Sequence, residues 1–394
     1  MKSGWRLATA IVGLALCGAC GGAAAQPPDA APGGPGPSAS AAAGRLQSAN
    51  FLNRISAAEI GRAIDVAGDK APAIVPRYDV ANHRLTYLTL DGRGRLITAS
   101  GLVSVPVKAP GAPSPVIGYQ HGTLFKDADA PSNHAVAAEP AVVMASVGYI
   151  VVAADYVGYG ASAGAPHPYL VAAPSAAAVI DLLTAASAWR REQGIADNGQ
   201  LFLTGYSEGG YVSLAAHRAM QTGNSPHLES LVATVAGAGP YHLGVTMTEL
   251  LRRVRAKHPV VGALVSPGIL KLLGASLRRE ARRVLLRMLV PANADVVMQT
   301  GFIDHHFDGD HEALERLSNV HDWKPEVPVA LFHGPDDRTV PHAGAVRTVQ
   351  AMQARGAQRV SLTACAAAPS SHRNCVAPFW DFMLGQLGAL ARDR

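Results

Sequence analysis

The sequence predicts an α/β fold built on a doubly wound, mostly parallel sheet, and three observations support this. Short apolar segments bounded by Gly, Pro or Asp recur along the chain, as buried parallel strands do. Stretches of helical character separate them, and strand–helix–strand repetition is typical of doubly wound sheets. The chain has 394 residues, 48% hydrophobic and 16% charged, which is enough apolar material for one large core.

The strands are predicted from these apolar runs. Residues 86–90 and 101–107 should pair antiparallel, because a turn signal at 91–94 lies between them. Residues 359–363 fit a last strand. The buried parallel strands expected in between span residues 116–119, 149–154, 201–204, 231–236 and 327–332.

The helices follow from capping signals. Ser175 can cap a helix that runs to Arg191 and that Gly194 ends, and a second helix should run from Glu208 to near Gly223.

One segment interrupts the strand–helix rhythm. No convincing strand occurs between residues 245 and 323, where 250–257 and 269–289 have helical character. We interpret residues 246–322 as a helical cap, or lid, over the active edge of the sheet.

The N-terminus is typical of an export signal. Lys2 and Arg6 precede a short apolar run at residues 7–16, and small residues at 23–25 stand before Gln26. This pattern predicts a signal peptide that is cleaved on export.

The predicted organisation is therefore a signal peptide at 1–25, a flexible Pro/Gly/Ala linker at 26–45 and one domain at 46–394. We expect a secreted or periplasmic protein, with lipidation at Cys17 or Cys20 as an alternative. No later run reaches the roughly 20 apolar residues that a transmembrane helix needs.

The formal net charge of +5 and the pI near 9.1 are mildly basic. We expect no nucleic-acid partner, because no Lys/Arg stripe is interleaved with aromatic residues. Arginines are concentrated in the predicted cap, where Glu280 is nearly alone in opposing them. They form either a solvated helix face or an amphipathic surface that meets anionic lipid. These residues are Arg252, Arg253, Arg255, Arg278, Arg279, Arg282, Arg283 and Arg287.

The pattern G-x-S-x-G occurs twice, centred on Ser207 and on Ser162. A nucleophile elbow needs a strand before the serine, a sharp turn at it and a helix after it. A predicted strand precedes Ser207 and a predicted helix follows it. Two prolines, Pro166 and Pro168, deny Ser162 such a helix. Ser207 is therefore the predicted nucleophile.

A serine hydroxyl needs a histidine base held by a carboxylate, and on such sheets the chain order is Ser, Asp, His. Asp337 lies just past a predicted strand, where ligand chemistry gathers in open α/β sheets. Its neighbour Asp336 is the alternative. His372 lies further on in a polar loop, whereas His333 and His342 are too close to Asp337 to come from a separate loop.

A developing oxyanion needs preorganised donors. One is expected to be the backbone N–H of Glu208, directly after the nucleophile. The other is expected from the loop after the strand at 116–119, where we favour the N–H of Thr123, with Gly122 as the alternative. We interpret the His121 side chain as structural.

Two cysteines, Cys365 and Cys375, remain after the predicted signal peptide. Exported cysteine pairs usually bond, so we expect a disulfide that closes a loop around His372, with two free thiols as the alternative. We expect no metal or other cofactor. Three further histidines lack a strong zinc spacing; they are His305, His306 and His311.

Taken together, these segments resemble the α/β-hydrolase superfamily, and within it the secreted lipase and esterase group of bacteria and fungi. The resemblance runs from about residue 78 to the end. It implies a Ser207, Asp337 and His372 triad that hydrolyses acyl esters or lipids. Besides the Asp337 and His372 segments, it rests on the blocks at 119–123, 155–160, 167–170, 205–210, 238–241 and 322–325.

The chain departs from that group in three respects, and one of them is the unusually Ala-rich approach to His372 at residues 364–369. The residue after the nucleophile is often Gln in the group and is Glu208 here. Ser371 and Arg373 flank the predicted base, where Asp and Gly are frequent. Asp155 is expected to shape the pocket wall.

The expected substrate is a small-molecule or lipid ester. A serine peptidase or aminopeptidase on the same fold is the alternative, since a triad also cleaves amides. A non-catalytic exported binding protein is a further alternative, which retention of a whole triad disfavours.

Overall fold

The computed structural model describes residues 41–257, 282, 283, 286 and 290–394. The strands are β1 (Leu46–Ile55), β2 (Val80–Leu90), β3 (Leu96–Pro106), β4 (Ser114–Gln120), β5 (Ile150–Ala154), β6 (Asp197–Tyr206), β7 (Leu231–Gly237), β8 (Val329–His333) and β9 (Val360–Ala364). The described helices are α1 (Ala57–Ala67), α2 (Pro140–Ala145), α3 (Ala172–Glu192), α4 (Glu208–Thr222), α5 (His227–Ser230), α6 (Leu243–Lys257), α7 (Gly301–Asp308), α8 (His311–Ser318), α9 (His342–Ala354) and α10 (Val376–Leu390).

The strands form one nine-stranded sheet in the order β1-β2-β3-β5-β4-β6-β7-β8-β9. The pairs β1–β2, β2–β3 and β3–β5 are antiparallel. From β5 across to β9 every neighbouring pair is parallel. The predicted α/β class with a mostly parallel sheet is therefore confirmed.

Helices cover both faces of the sheet. Along β5, Val152 joins the core that α3 and α4 cover, and Val151 joins the core under α2 and α10. Successive strand residues point to opposite faces, so a central strand buried on both must be apolar throughout. This explains why the parallel strands could be predicted from continuous apolar runs in the sequence.

The first strand, β1, was not predicted. It lies at the edge of the sheet and exposes much of its length, including Phe51 at 62% exposure, so its sequence lacks a continuous apolar run. The chain just before Leu46 is already bonded to the sheet, because the N–H of Gly44 donates to the carbonyl of Leu88 at 2.8 Å.

The helix predicted to start at Ser175 begins earlier. α3 starts at Ala172 with Val171 at its N-cap, and Ser175 is buried inside the helix. By length and composition α3 could cross a membrane, but 61% of its apolar window is buried inside the protein. The helix is apolar because it packs on the sheet.

The described part of the region interpreted as a cap begins with α6 and ends with α7 and α8. Two of its arginines, Arg252 and Arg253, ion-pair with Glu249, and Arg282 ion-pairs with Asp304. Contact of this surface with lipid stays a prediction. The predicted signal peptide with Cys17 and Cys20, the linker up to residue 40, most of the helix at 269–289, and Arg278, Arg279, Glu280 and Arg287 lie outside the described residues.

Candidate active site

Ser207 stands in the sharp turn between β6 and α4. Its backbone has φ 60° and ψ −124°, a conformation that residues with a Cβ rarely adopt. The N–H of Ser207 donates to the carbonyl of Gly237 on β7 at 2.8 Å, which holds the turn against the sheet. The geometry is that of a nucleophile elbow.

The glycines around Ser207 are required by close backbone contacts. A Cβ on Gly205 would lie 2.5 Å from the carbonyl oxygen of Gln120, and one on Gly209 would lie 2.0 Å from the same oxygen. No side chain fits at either position. β6 and the start of α4 can therefore lie this close to the end of β4 only because glycine stands at 205 and 209.

The second serine of this pattern, Ser162, is only 4% exposed. Its hydroxyl accepts from the N–H of Gly158 at 3.0 Å and donates to the carbonyl of Tyr159 at 2.9 Å. It stabilises a loop and has no histidine partner among its recorded contacts in the described chain.

The structure brings Ser207, His372 and Asp337 together. Nε2 of His372 lies 3.0 Å from the Ser207 hydroxyl, and Nδ1 of His372 lies 2.6 Å from Oδ2 of Asp337. Both contacts are satisfied by the neutral His372 tautomer that carries its hydrogen on Nδ1. Its Nδ1–H donates to the Asp337 carboxylate, and its Nε2 accepts from the Ser207 hydroxyl. The three groups form one continuous chain of hydrogen bonds.

The carboxylate of Asp337 is held by four donors. Oδ1 accepts from the N–H groups of Thr339 and Val340 at 2.7 and 2.9 Å, and His333 and His372 reach Oδ2. Burial alone would raise the pKa of Asp337, but the hydrogen bonds from His333 and His372 outweigh it and hold the pKa below its usual range. Asp337 is therefore ionised throughout the neutral range.

His333 is a residue whose contribution the sequence analysis missed. It is fully buried, and its Nε2–H is shared between Val340 O at 3.0 Å and Asp337 Oδ2 at 3.2 Å. The spacing H-x-x-x-D was visible, but nothing in it indicated a second histidine on the same carboxylate. Asp336, the alternative to Asp337, is exposed and instead accepts from Ser370.

The loop that carries His372 is tied down at several points. The hydroxyl of Tyr206, the residue before Ser207, donates to the carbonyl of His372 at 2.8 Å. Cys365 and Cys375 form the predicted disulfide, with their Cα atoms 5.9 Å apart. His372 is thus connected both to the turn at Ser207 and to the end of β9.

Of the residues predicted to stabilise an oxyanion, Glu208 directly follows Ser207 in the chain, and Thr123 lines the cavity at Ser207. Glu208 is the first residue of α4, and the first N–H groups of a helix have no intrahelical acceptor. Gly122 and Thr123 line the same cavity, and a Cβ on Gly122 would lie 3.8 Å from the Cβ of Ser207. Gly122 and Thr123 are therefore both placed where a backbone N–H could serve as the second oxyanion donor.

The side chains of His121 and Asp155 contact neighbouring backbone and serine groups and so stabilise the surrounding structure. The two imidazole nitrogens of His121 face the carbonyl oxygens of Gly122 and Asp155. The Asp155 carboxylate is fully buried and accepts from Ser100 and Ser132, so it links loops behind the cavity.

A cavity of about 820 Å³ opens at Ser207 and His372, within the range of small-molecule sites. α6 and α7 roof it with apolar side chains, and the loop before α2 contributes two acids, Asp129 and Glu139. Apolar residues of the wall include Leu170, Leu243, Met247, Phe302, Ile303 and Trp380.

Glu139 is the buried acid of this wall. Burial, reinforced by the nearby Asp155 carboxylate, raises the pKa of Glu139 to about 8. Glu139 is therefore mostly protonated at pH 7 and leaves the cavity without a full charge at that point.

Among the described residues, His242, Glu315 and His321 could hold a metal ion, since one ligand atom from each lies within 4.8 Å of the others. The two imidazoles, however, stack 4.0 Å apart at an interplanar angle of 11°. Their in-plane lone pairs then run side by side and do not converge on one ion. The histidines considered from the sequence lie on α7 (His305, His306) and at the start of α8 (His311).

Comparison with solved structures identifies the fold. A candidate hydrolase from Legionella pneumophila has a TM-score of 0.70 at 23% identity, over 88% of this chain and 98% of its own. The rice cell wall degrading esterase LipA from Xanthomonas oryzae has 0.67 at 25% identity, over 89% and 100%. Candida antarctica lipase A in its closed state has 0.54 at 18% identity, over 84% and 78%.

These likenesses and the fold define a serine hydrolase of the α/β-hydrolase superfamily, as the sequence resemblance implied. The chain belongs to the X-Pro dipeptidyl-peptidase (S15) family, which matches residues 100–374. A comparison with curated protein sequences finds no match.

Removing the disulfide tests how the loop of His372 is held. Cys365 and Cys375 are 10 residues apart, so replacing both with Ser should lower the free energy of unfolding by about 3 kcal/mol, through added freedom of the unfolded chain. We expect kcat to fall as well. Urea unfolding and ester assays measure both, with reduced wild type as the matched control; an unchanged midpoint would contradict this.

The titration of Glu139 gives a pH prediction. The folded protein holds a proton up to about pH 8 that the unfolded chain releases near 4.5, so stability should fall as pH rises through that window. Glu139→Gln should flatten this fall. Thermal unfolding from pH 5 to 8 measures it, with the exposed Glu192→Gln as control. Equal slopes for wild type and Glu139→Gln would refute it.

Proposed function

We propose that this protein is a carboxylic-ester hydrolase of the lipase and esterase type, with Ser207 as nucleophile, His372 as base and Asp337 as the supporting carboxylate. One observation carries the proposal: an unbroken chain of hydrogen bonds runs from Asp337 through His372 to Ser207 and ends at an apolar cavity. A serine hydroxyl becomes an effective nucleophile in this setting.

The mechanism follows from the geometry. The hydroxyl oxygen of Ser207 bonds to the ester carbonyl carbon while its proton passes to Nε2 of His372, and ionised Asp337 stabilises the imidazolium. The N–H groups of Glu208 and Thr123, or of Gly122 in place of Thr123, hold the oxyanion. The ester C–O bond then breaks, and the alcohol leaves with the proton from His372. Water hydrolyses the acyl-enzyme by the same steps.

The cavity supports an ester with an apolar acyl part. Its wall is largely aliphatic and aromatic, and α6 and α7 of the proposed cap supply much of it. LipA is described as an esterase that degrades the rice cell wall, and the Candida antarctica neighbour is a lipase. Both support ester chemistry for this chain.

A peptidase is the second candidate, because the family that the chain belongs to is named for X-Pro dipeptidyl-peptidases. An N-terminal ammonium would need a carboxylate in the cavity. Asp129 and Glu139 lie in its wall, but the raised pKa of Glu139 leaves that group mostly neutral at pH 7. A neutral Glu139 is a poor partner for an ammonium group, while Asp129 is a second acid in the same wall.

We also propose that the protein acts outside the cytoplasm. The signal-like segment at 1–25 supports export, and the bond between Cys365 and Cys375 is compatible with an oxidising compartment. The arginines of the proposed cap would then be available to anionic lipid.

Parallel assays test ester against peptide cleavage. Full-length protein should hydrolyse p-nitrophenyl acyl esters, while Ala-Pro-p-nitroanilide should be turned over far more slowly. A fluorophosphonate probe should label the wild type and Ser162→Ala but not Ser207→Ala. Anilide turnover without ester turnover would establish the peptidase, and no labelling of folded wild type would favour a binding protein.

The two neighbouring aspartates provide a matched pair of variants. Asp337→Asn should lower kcat by about 10⁴-fold, because an amide no longer fixes the productive tautomer of His372. Asp336→Asn should cost less than about tenfold, since Asp336 only accepts from Ser370. Steady-state kinetics on one ester measure both; similar losses would argue against Asp337 as the supporting carboxylate.

A further inference from the structure

A second buried histidine–carboxylate pair lies beside the elbow, outside the proposed triad. Nε2 of His167 lies 2.7 Å from Oε1 of Glu208, and both side chains are only 1% exposed. Glu208 is also the residue whose backbone N–H is the proposed oxyanion donor. Burying a histidine and a carboxyl group together costs desolvation free energy, so the position of this pair beside the elbow needs a physical reason.

The partners of His167 fix the number of protons in this pair. Nδ1 of His167 lies 2.9 Å from the carbonyl oxygen of Val157, which only accepts, so Nδ1 carries a hydrogen. The contact of 2.7 Å between Nε2 and Oε1 then requires one further hydrogen between them. Wherever that proton sits, His167 and Glu208 together have no net charge.

Without His167, the Glu208 carboxylate would have little to balance it. Its other oxygen, Oε2, is buried and has no hydrogen-bond partner among the described residues. The N-terminus of α4 favours a negative charge at this position. An anion one side chain away from the Glu208 N–H would oppose the oxyanion that this N–H should stabilise.

The groups around the pair do not replace His167. The rings of Tyr156, Tyr159 and Tyr169 lie 5.9, 5.1 and 6.1 Å from the His167 ring and carry no positive charge. His121 stacks on Tyr156, and burial lowers the pKa of its imidazole from the ordinary value, which disfavours a positive charge there. The backbone of His167 is held by residues 297–299 in two hydrogen bonds of 2.8 and 2.7 Å.

We propose that His167 is a positioning residue that neutralises Glu208 and so keeps a negative charge away from the oxyanion hole. The inference rests on the proposed function, because it assigns His167 to the same acyl-transfer site. The contact with residues 297–299 also links this neutralised pair to the segment that leaves the proposed cap.

A double-mutant cycle tests the charge balance. His167→Ala, Glu208→Gln and the double variant are compared at pH 8.5, well above the ordinary pKa of a carboxyl group. His167→Ala should lower kcat at least about tenfold, with a smaller change in KM. Glu208→Gln should cost much less. The double variant should regain most of the loss, because the residue left behind is no longer charged.

A boronic acid inhibitor gives a readout that a merely structural role would not move, since it adds to the serine hydroxyl as a tetrahedral anion. Its Ki should rise with His167→Ala and recover in the double variant. His217→Ala is the control: His217 is also fully buried, pairs with Thr234, and should lower Tm without changing the Ki. If His167→Ala fails to fold, His167→Gln with and without Glu208→Gln should give the same pattern.

Two outcomes would overturn the proposal and can be told apart. A wild type that neither hydrolyses esters nor binds the boronic acid would overturn the proposed function, and this inference with it. An active wild type whose double variant is no better than His167→Ala would leave the triad standing and overturn the charge balance alone.

Discussion

The backbone turn at Ser207 is the constraint on which the rest of this site depends. A positive φ at a serine is costly, and the surrounding contacts hold it in place. The N–H of Ser207 donates to the carbonyl of Gly237 on β7, and the end of β4 packs closely against Gly205 and Gly209. The same turn aims the hydroxyl at His372 and places the N-terminus of α4 beneath it. Scaffold and site are therefore one piece of geometry.

Electrostatics at the site depend on where protons can reside. Asp337 is surrounded by donors that stabilise its charge, so it supports a charged imidazole. Glu139, in the cavity wall, is desolvated and stays protonated near neutral pH. By our proposal Glu208 is neutralised by His167. Three carboxyl groups near one cavity thus differ in charge because their hydrogen-bond partners differ.

Much of the framework was predictable because it depends on local patterns. Strands buried on both faces are apolar throughout, and the order Ser, Asp, His follows the order of the strands. β1 was missed because an edge strand keeps polar residues, and Ser175 was misread because a cap signal can lie inside a helix that packs on the sheet. The roles of His333 and His167 depend on contacts between distant loops, which spacing does not reveal.

The type of reaction and the choice of substrate depend on different parts of the site. By our proposal the hydrogen-bonded chain performs acyl transfer, while α6 and α7, which line the cavity, select the substrate. The most direct test of the central claim is to acid-quench the enzyme while it turns over a p-nitrophenyl ester and to locate the acyl group by peptide mass spectrometry. The account predicts the acyl group on Ser207. An acyl group on another residue, Ser162 included, would contradict it.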